Sequence, residues 1–272
     1  MIICPVCFRH CKLKEGQLGF CKARRCLDGI STIDHYGAIT SLNLDPIEKK
    51  PLKQFFPGCK ILSIGSYGCN LRCPFCQNYE ISIECQPNDY DSLSSIEIVD
   101  KALAYIDQGN IGIAFTYNEP LVSYEFVLKT FKLAKSKGLK TVLVTNGEVT
   151  LPVLEEIIPY VDAMNVDLKA FSSIAYQRMS GDFQTVKDFI TYAAKRCHVE
   201  VTTLVVPGIN DSEKNFTNEV IFLSSISKEL PLHLTRYFPN YIYKEKITPL
   251  SLLIKYQEIA KKYLNFVYVG NV

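Results

Sequence analysis

No apolar run in this 272-residue sequence approaches the ~20 residues that a membrane-spanning helix needs. Neither charge sign dominates. Thirty Lys and Arg against 28 Asp and Glu leave a net charge of +2, too little to argue for nucleic acid or an anionic membrane as a partner. The short basic stretches Lys22-Ala23-Arg24-Arg25 and Glu48-Lys49-Lys50 read as solvated surface. Met1-Ile2-Ile3-Cys4 lacks the basic start and long apolar core of a secretory signal, so the expectation is a cytoplasmic protein. Internal repeats and low-complexity tracts are absent.

What is present is a core and an excess of cysteine. Hydrophobic residues make up 47% of the chain, and its length suits one barrel-sized domain, or a domain of about 200 residues with a small appendage. Eleven cysteines in a reducing compartment point to metal or redox chemistry rather than disulfides. Cys4, Cys7, Cys11, Cys21 and Cys26 form one group; Cys69, Cys73 and Cys76 form another. Cys59, Cys85 and Cys197 stand apart and read as small buried residues.

The pattern divides the chain into an amino-terminal Cys-rich module with its connector, residues 1–57, and a domain spanning 58–272. The connector contains Leu44-Asp45-Pro46-Ile47-Glu48-Lys49-Lys50-Pro51-Leu52, whose prolines oppose long regular elements. From residue 60 the chain alternates. Short Ile-, Val-, Leu- and Thr-rich runs at 61–65, 111–116, 140–144, 162–167, 199–206 and 232–237 predict strands. Amphipathic helices lie between them. Ser94-Ser95-Ile96-Glu97 offers a capping box, with Ile96, Val99, Leu103 and Ile106 on one face. Another helix follows Pro120, with Tyr124, Val127, Leu128, Phe131 and Ala134 inward and Gly138 as its stop. Val186, Phe189, Ile190 and Ala193 mark a third, and Phe216, Val220 and Leu223 a fourth. The last starts with Thr248 as cap and Pro249 at the first helical position. Strand–helix repetition without hairpin signals predicts parallel strands with crossover helices: an α/β protein, either a partial barrel or a doubly wound sheet. Function then belongs at the carboxyl ends of the strands.

Four features sit there. Directly after the first strand comes Gly68-Cys69-Asn70-Leu71-Arg72-Cys73-Pro74-Phe75-Cys76-Gln77-Asn78, with spacing Cys-x3-Cys-x2-Cys. Ordinary iron–sulfur clusters take four cysteines; three on one tight loop leave one iron open. A structural zinc knuckle with a distant fourth ligand is the alternative, and the position at the functional end of a strand weighs against it. The second feature is Phe115-Thr116-Tyr117-Asn118-Glu119-Pro120, in which Asn118 is a helix cap, Pro120 the helix start and Glu119 a carboxylate at the rim. The third pairs Thr145-Asn146-Gly147 with Asp167-Leu168-Lys169, also readable as a turn and an exposed strand end. The fourth comprises Val205-Val206-Pro207-Gly208 and His233-Leu234-Thr235-Arg236-Tyr237, where a lone strand His is more often structural.

The cysteine loop, with the aromatic Phe75 before its third cysteine, resembles the signature of the radical SAM superfamily. The resemblance implies a six-unit partial (β/α)6 barrel and a [4Fe-4S] cluster on Cys69, Cys73 and Cys76. It further implies S-adenosylmethionine chelating the open iron through its methionyl amine and carboxylate, and reductive cleavage to methionine and a 5′-deoxyadenosyl radical. Phe75 and Asn78 would lie at the cofactor. Glu119-Pro120 resembles the end of that superfamily's Gly-Gly-Glu-Pro motif, implying that Glu119 holds the cofactor's amine; Tyr117 and Asn118 replace both glycines. Asn146, Asp167 and Lys169 stand in segments similar to those of glycyl-radical-enzyme activases, which implies that Lys169 approaches the cofactor's carboxylate and that Asp167 assists. His233 and Arg236 are further candidate cofactor or substrate contacts.

The amino-terminal spacing Cys4-x2-Cys7-x3-Cys11-x9-Cys21 suits a structural zinc or a second, closed cluster, and does not choose between them. Together with Asp45-Pro46-Ile47-Glu48-Lys49-Lys50-Pro51-Leu52 and the closing Tyr268-Val269-Gly270-Asn271, this opening resembles one subgroup, the radical SAM enzyme of the AmmeMemoRadiSam system, related to pyruvate formate-lyase activating enzyme. The subgroup's name implies AMMECR-family and Memo-family proteins as neighbours and candidate partners, but no defined substrate. The similarity to activases makes a protein or peptide substrate, with glycyl-radical-enzyme activation as one form, the leading expectation, and a flavodoxin or ferredoxin the expected reductant. An RNA-modifying radical SAM enzyme and a non-catalytic iron–sulfur or zinc protein are the competing readings. The weak net charge counts against the first. The three-cysteine spacing counts against the second.

Overall fold

In the computed structural model, which describes residues 1–85 and 90–272, the amino-terminal module is two small antiparallel pairs. β1 (Ile2–Ile3) pairs with β2 (Lys12–Leu13), and β3 (Arg24–Leu27) with β4 (Ile30–Ile33). Little apolar material is available to so short a stretch, so it borrows a core. Cys4, Val6, Leu13, Cys26 and Ile33 are buried in the main hydrophobic cluster of the larger domain. Arg24, expected on the surface, is 2% exposed. Its guanidinium donates to Glu125 at 2.6 and 2.8 Å and to the Val122 carbonyl at 3.1 Å, tying the module to the barrel.

The six expected strands form, each within two residues of its predicted ends. They are β6 (Lys60–Gly65), β7 (Asn110–Thr116), β8 (Lys140–Thr145), β9 (Ala163–Asp167), β10 (His198–Val205) and β11 (Leu232–Arg236), and β12 (Val267–Gly270) adds a seventh parallel member. They lie side by side in chain order. Both faces of these strands are covered, which is why they read as near-continuous apolar runs rather than as alternation. β5 (Ser41–Pro46), inside the expected connector, extends the sheet antiparallel to β6. Proline is tolerated there because Pro46 ends an edge strand. Neither β5 nor β12 has a partner on its outer side in this sheet, so the curved sheet is a partial barrel.

The crossover helices follow their strands: α1 (Tyr79–Ser82) and α2 (Ser95–Ala104), α3 (Tyr124–Ser136), α4 (Leu151–Ile157), α5 (Ser173–Arg178) and α6 (Phe183–Ala193), α7 (Glu213–Ile226), and α8 (Leu250–Ala260). The Ser94/Glu97 capping box on α2 is present. Its buried face is Ile98, Val99 and Ala102, however, and Ile96 is 63% exposed. The β-branched side chains at 96, 98 and 99 compete for one inward stripe, and helix rotation gives it to the adjacent pair. Thr248 does not cap α8. Its hydroxyl donates to Val205 O at 2.6 Å and accepts from Tyr237 N at 3.3 Å, stitching the ends of β10 and β11.

The connector closes the lower, amino-terminal end of the barrel. Ile47 and Leu52 are fully buried against Ile61, Ala114, Val142 and Ala163 on the inner faces of the strands. Lys50, also expected on the surface, is 2% exposed; its ammonium sits 2.9 Å from Asp45 and 4.6 Å from the centre of the Tyr117 ring. No helix among the described residues is long and apolar enough to cross a membrane.

Candidate active site

The upper end of the barrel opens into a cavity of about 460 Å³. It extends from the cysteine loop after β6 down to the plug at Lys50 and Pro51. The loop turns on Gly68, whose φ is +83°. A side chain there is excluded twice over: the backbone is left-handed, and a Cβ would stand 2.4 Å from the Cys21 carbonyl. The Cys69 amide donates to that same carbonyl at 3.2 Å, so the amino-terminal module lies directly against the loop.

Two arginines hold the loop down. Arg9 Nε donates to Asn70 O at 2.9 Å, and Arg72 donates to Cys69 O at 2.8 Å and Leu71 O at 2.7 Å. Their guanidiniums lie 3.4 and 4.0 Å from the centre of the Phe20 ring, and Arg72 also donates to the Phe20 carbonyl. Beneath, Asn70 Nδ2 donates to Glu148 O at 2.9 Å. Glu148 is fully buried, and burial pushes its carboxyl up to about 8 against the Asp182 amide that donates to it.

Cys69, Cys73 and Cys76 all line the cavity. Desolvation raises all three thiols, Cys73 to about 12, so as free groups they are protonated at neutral pH. Cys69 Sγ accepts from Leu71 N at 3.4 Å and Asn146 Nδ2 at 3.6 Å, the contacts a sulfur ligand with negative charge needs. Among the described residues, no three His, Cys, Asp or Glu side chains converge closely enough for a single metal ion. The thiols face a common space rather than a common point. Three soft donors facing a shared cavity fit a cube whose irons occupy separate corners.

Around the rim stand the polar residues expected from the sequence. Glu119, at the end of β7, is 2% exposed. It, rather than Asn118, caps the short helical turn at Pro120–Ser123, accepting from Leu121 N at 3.0 Å. It also accepts from Thr145 Oγ1 at 2.8 Å and Asn146 N at 2.7 Å. Burial outweighs these donors and lifts its carboxyl to about 7. Asn118 instead binds the strand that carries the cysteines, accepting from Ser66 N at 3.1 Å and donating to Tyr67 O and Gly68 O at 3.0 Å. Lys169 Nζ lies 2.7 Å from Asp167. Burial alone would lower this ammonium, but Asp167 and the nearby thiols raise it. Phe75, Asn78, Glu119, Asn146, Asp167 and Lys169 thus share the cavity with the three cysteines.

A family model described as the Radical SAM superfamily matches residues 63–220, more than half of the chain, and spans the three loop cysteines, Glu119, Asn146, Asp167 and Lys169. The chain belongs to the radical SAM superfamily. It is also similar to an uncharacterized protein of Methanocaldococcus jannaschii, 36% identical over 275 residues, covering 99% of this chain and 81% of the other. The pyruvate formate-lyase-activating enzyme of Clostridium pasteurianum is 26% identical over 202 residues, 71% of this chain and 80% of that one. In fold, the chain resembles Streptococcus suis SuiB bound to S-adenosylmethionine, with a TM-score of 0.61 and 14% identity, covering 77% of this chain and 51% of that one. The protein is therefore a radical SAM enzyme related to pyruvate formate-lyase activating enzyme.

Two candidates from the sequence lie elsewhere. His233 faces the barrel interior on β11 but does not line the cavity. Its Nε2 donates to Glu200 at 2.6 Å, and Glu200 also takes the amides of Lys53 and Gln54 at 2.9 and 2.8 Å and the His198 ring at 2.9 Å. Burial would raise Glu200; these donors overcome it and hold the carboxyl down at about 2. His233 thus anchors the plug. Arg236 alternates away from Thr235, which lines the cavity, and donates to Thr248 O at 2.8 Å. In the amino-terminal module, Cys4, Cys7 and Cys21 are buried, and desolvation, with a smaller contribution from the neighbouring cysteines, raises the thiols of Cys21 and of Cys7, the latter to about 12. No three of them gather around one point, so the arrangement forms no single-ion zinc site, and the findings give no support to the zinc or second cluster expected there. Sequence reasoning missed Arg9, Phe20, Arg72 and Glu148, which position the loop. The Arg within the cysteine motif was the available signal.

Proposed function

We propose that Cys69, Cys73 and Cys76 ligate three irons of a [4Fe-4S] cluster, and that S-adenosylmethionine binds beside it within the same cavity. When bound, the reduced cluster supplies the electron that breaks the cofactor's carbon–sulfur bond and yields a 5′-deoxyadenosyl radical for hydrogen abstraction. The single observation that carries this reading is the shared cavity: three thiols, a buried carboxylate and a half-buried ammonium meet where the parallel strands end. Glu119 has a remaining acceptor position on Oε2 for the cofactor's ammonium, since Oε1 takes two donors and Oε2 one. Lys169 suits the cofactor's carboxylate, Asp167 and Asn146 orient these groups, and Phe75 and Asn78 border the adenosyl side.

The substrate in this reading is a protein or peptide, with glycyl-radical-enzyme activation the leading form. Similarity to an activating enzyme supports it. So does the segment between β11 and α8, which packs on the cysteine loop through Tyr243 N to Pro74 O at 3.0 Å and stacks Tyr241 on Tyr79. That segment exposes Phe238, Ile242 and Ile247 beside the mouth, apolar surface that suits a macromolecular partner. AMMECR-family and Memo-family proteins are the partners to try first, with a flavodoxin or ferredoxin as electron donor. Eleven unpaired cysteines suit the cytoplasm. In this reading residues 1–57 supply the module, the plug and the edge strand β5, and residues 58–272 the catalytic strands and helices. The test is anaerobic incubation of reduced enzyme and S-adenosylmethionine with each candidate partner, deuterated throughout. Deuterium in 5′-deoxyadenosine identifies the substrate; fast coupled turnover with a free metabolite alone would overturn the protein-substrate reading.

A further inference from the structure

The cavity wall formed by β9 and β10 holds two polar atoms that none of the described residues satisfies. Asn165, on β9, is fully buried. Its Nδ2 donates to Pro51 O at 2.9 Å, which fixes the amide's orientation and leaves Oδ1 buried without a partner. Thr202, on β10, is 6% exposed, and its Oγ1 is likewise buried and unpartnered. Both residues line the cavity. Asn165 stands opposite Glu200 in the ladder and Thr202 opposite Asp167, so the two are diagonal neighbours on the inner face. Buried polar atoms in folded proteins are almost always paired, and an exception inside a cavity marks a place for a ligand.

The chemistry of the pair narrows that ligand. An Asn carbonyl oxygen only accepts; a Thr hydroxyl donates as well as accepts. The ligand must therefore bring a donor for Asn165, and an acceptor for Thr202 completes the match. Nearby charges are already matched: Lys50 lies 2.9 Å from Asp45 and Lys169 2.7 Å from Asp167. The patch thus favours an uncharged group carrying a donor and an acceptor side by side.

We infer that Asn165 and Thr202 form the substrate subsite and grip a peptide amide, its N–H on Asn165 Oδ1 and its carbonyl on Thr202 Oγ1. The inference rests on the radical chemistry proposed above and adds the group that the enzyme recognises. It holds a carbon next to an amide within reach of the 5′-deoxyadenosyl radical. That radical takes a hydrogen atom from the C–H bond, giving 5′-deoxyadenosine and a carbon-centred radical.

The probe is N-acetylglycinamide dideuterated at its glycyl carbon, offered to the cluster-loaded, reduced enzyme with S-adenosylmethionine; perdeuterated ethylene glycol is the hydroxyl control. Deuterium in 5′-deoxyadenosine is read by mass spectrometry, and cofactor affinity by anaerobic calorimetry. The wild type transfers deuterium from the amide and not from the diol. Asn165→Leu and Thr202→Val each cut the transfer at least tenfold with cofactor Kd changed less than twofold, whereas Thr202→Ser, which keeps the hydroxyl and loses only a methyl group, retains transfer. A tenfold loss of cofactor affinity in the two variants would assign these atoms to the cofactor and overturn the subsite. Equal transfer from the diol, or cofactor cleavage with no transfer from the amide, would also overturn it. A wild type that cleaves no cofactor would instead remove the radical reading on which the subsite rests.

Discussion

Cofactor binding should be proton-linked through Glu119. Its carboxyl sits fully desolvated at about 7, against an ordinary value of 4.5, and holds three protein donors. An ammonium arriving on Oε2 needs the ionised form. The group must therefore lose its proton on binding whenever the pH lies below about 7. The sign follows: affinity rises with pH through the carboxyl's titration and levels off above it. With a pKa of about 7, roughly one site in eleven is ionised at pH 6 and ten in eleven at pH 8. The dissociation constant should thus be about tenfold weaker at pH 6 than at pH 8, or about 1.4 kcal/mol. Glu119→Gln removes both charge and titration: binding falls by about tenfold or more at pH 8, on the worth of a charge-assisted hydrogen bond of ~1.5–3 kcal/mol, and the pH slope disappears. Calorimetry on anaerobic, cluster-loaded protein in buffers of different ionisation enthalpy measures affinity and proton release together. A pH-independent dissociation constant in the wild type, or an unchanged slope in the Gln variant, would refute the reasoning.

Other consequences are structural. Glu219 on α7 is buried, accepts from the Thr203 hydroxyl, and desolvation lifts its carboxyl to about 8. A raised folded-state pKa binds the proton more tightly than the unfolded chain does, so this group's contribution to stability falls as pH rises from about 4.5 to 8. Glu219→Gln should then raise the melting temperature at pH 8 and leave it little changed at pH 5. Phe20→Ala removes the ring between Arg9 and Arg72; two cation–π contacts of ~0.5–2 kcal/mol each should be lost, and amide exchange across residues 68–72 should quicken. Unchanged protection would show that the carbonyl contacts alone hold the loop. His233→Leu strips a donor from Glu200 and should destabilise the protein by ~1–3 kcal/mol in urea melts while leaving cofactor affinity intact; a loss of affinity without destabilisation would return His233 to the active site.

The strands were legible because two-sided burial writes apolar runs into the sequence, and the cysteine loop because its spacing is specific. β5 was hidden by its chemistry: Ser41-Leu42-Asn43-Leu44-Asp45-Pro46 ends in proline and carries Asp45, which pairs with Lys50 across the plug. Arg24 and Lys50 looked like surface because charge alone cannot report that a partner is waiting in the fold. Arg236 was misplaced by one residue of strand alternation; Thr235 holds the inward position. His233 does face inward, but its partner Glu200 comes from the neighbouring strand through register, which local sequence does not carry. The same limit hid Asn165 and Thr202, whose importance lies in what they fail to contact.

The central claim concerns what Cys69, Cys73 and Cys76 do together. Its most direct measurement is 5′-deoxyadenosine and methionine formed by anaerobically reconstituted, dithionite-reduced protein given S-adenosylmethionine, with Cys73→Ala in parallel. The account predicts equal amounts of both products from the wild type and none from a folded Cys73→Ala protein. Undiminished cleavage by that variant, or none by a wild type loaded with four irons, would contradict it.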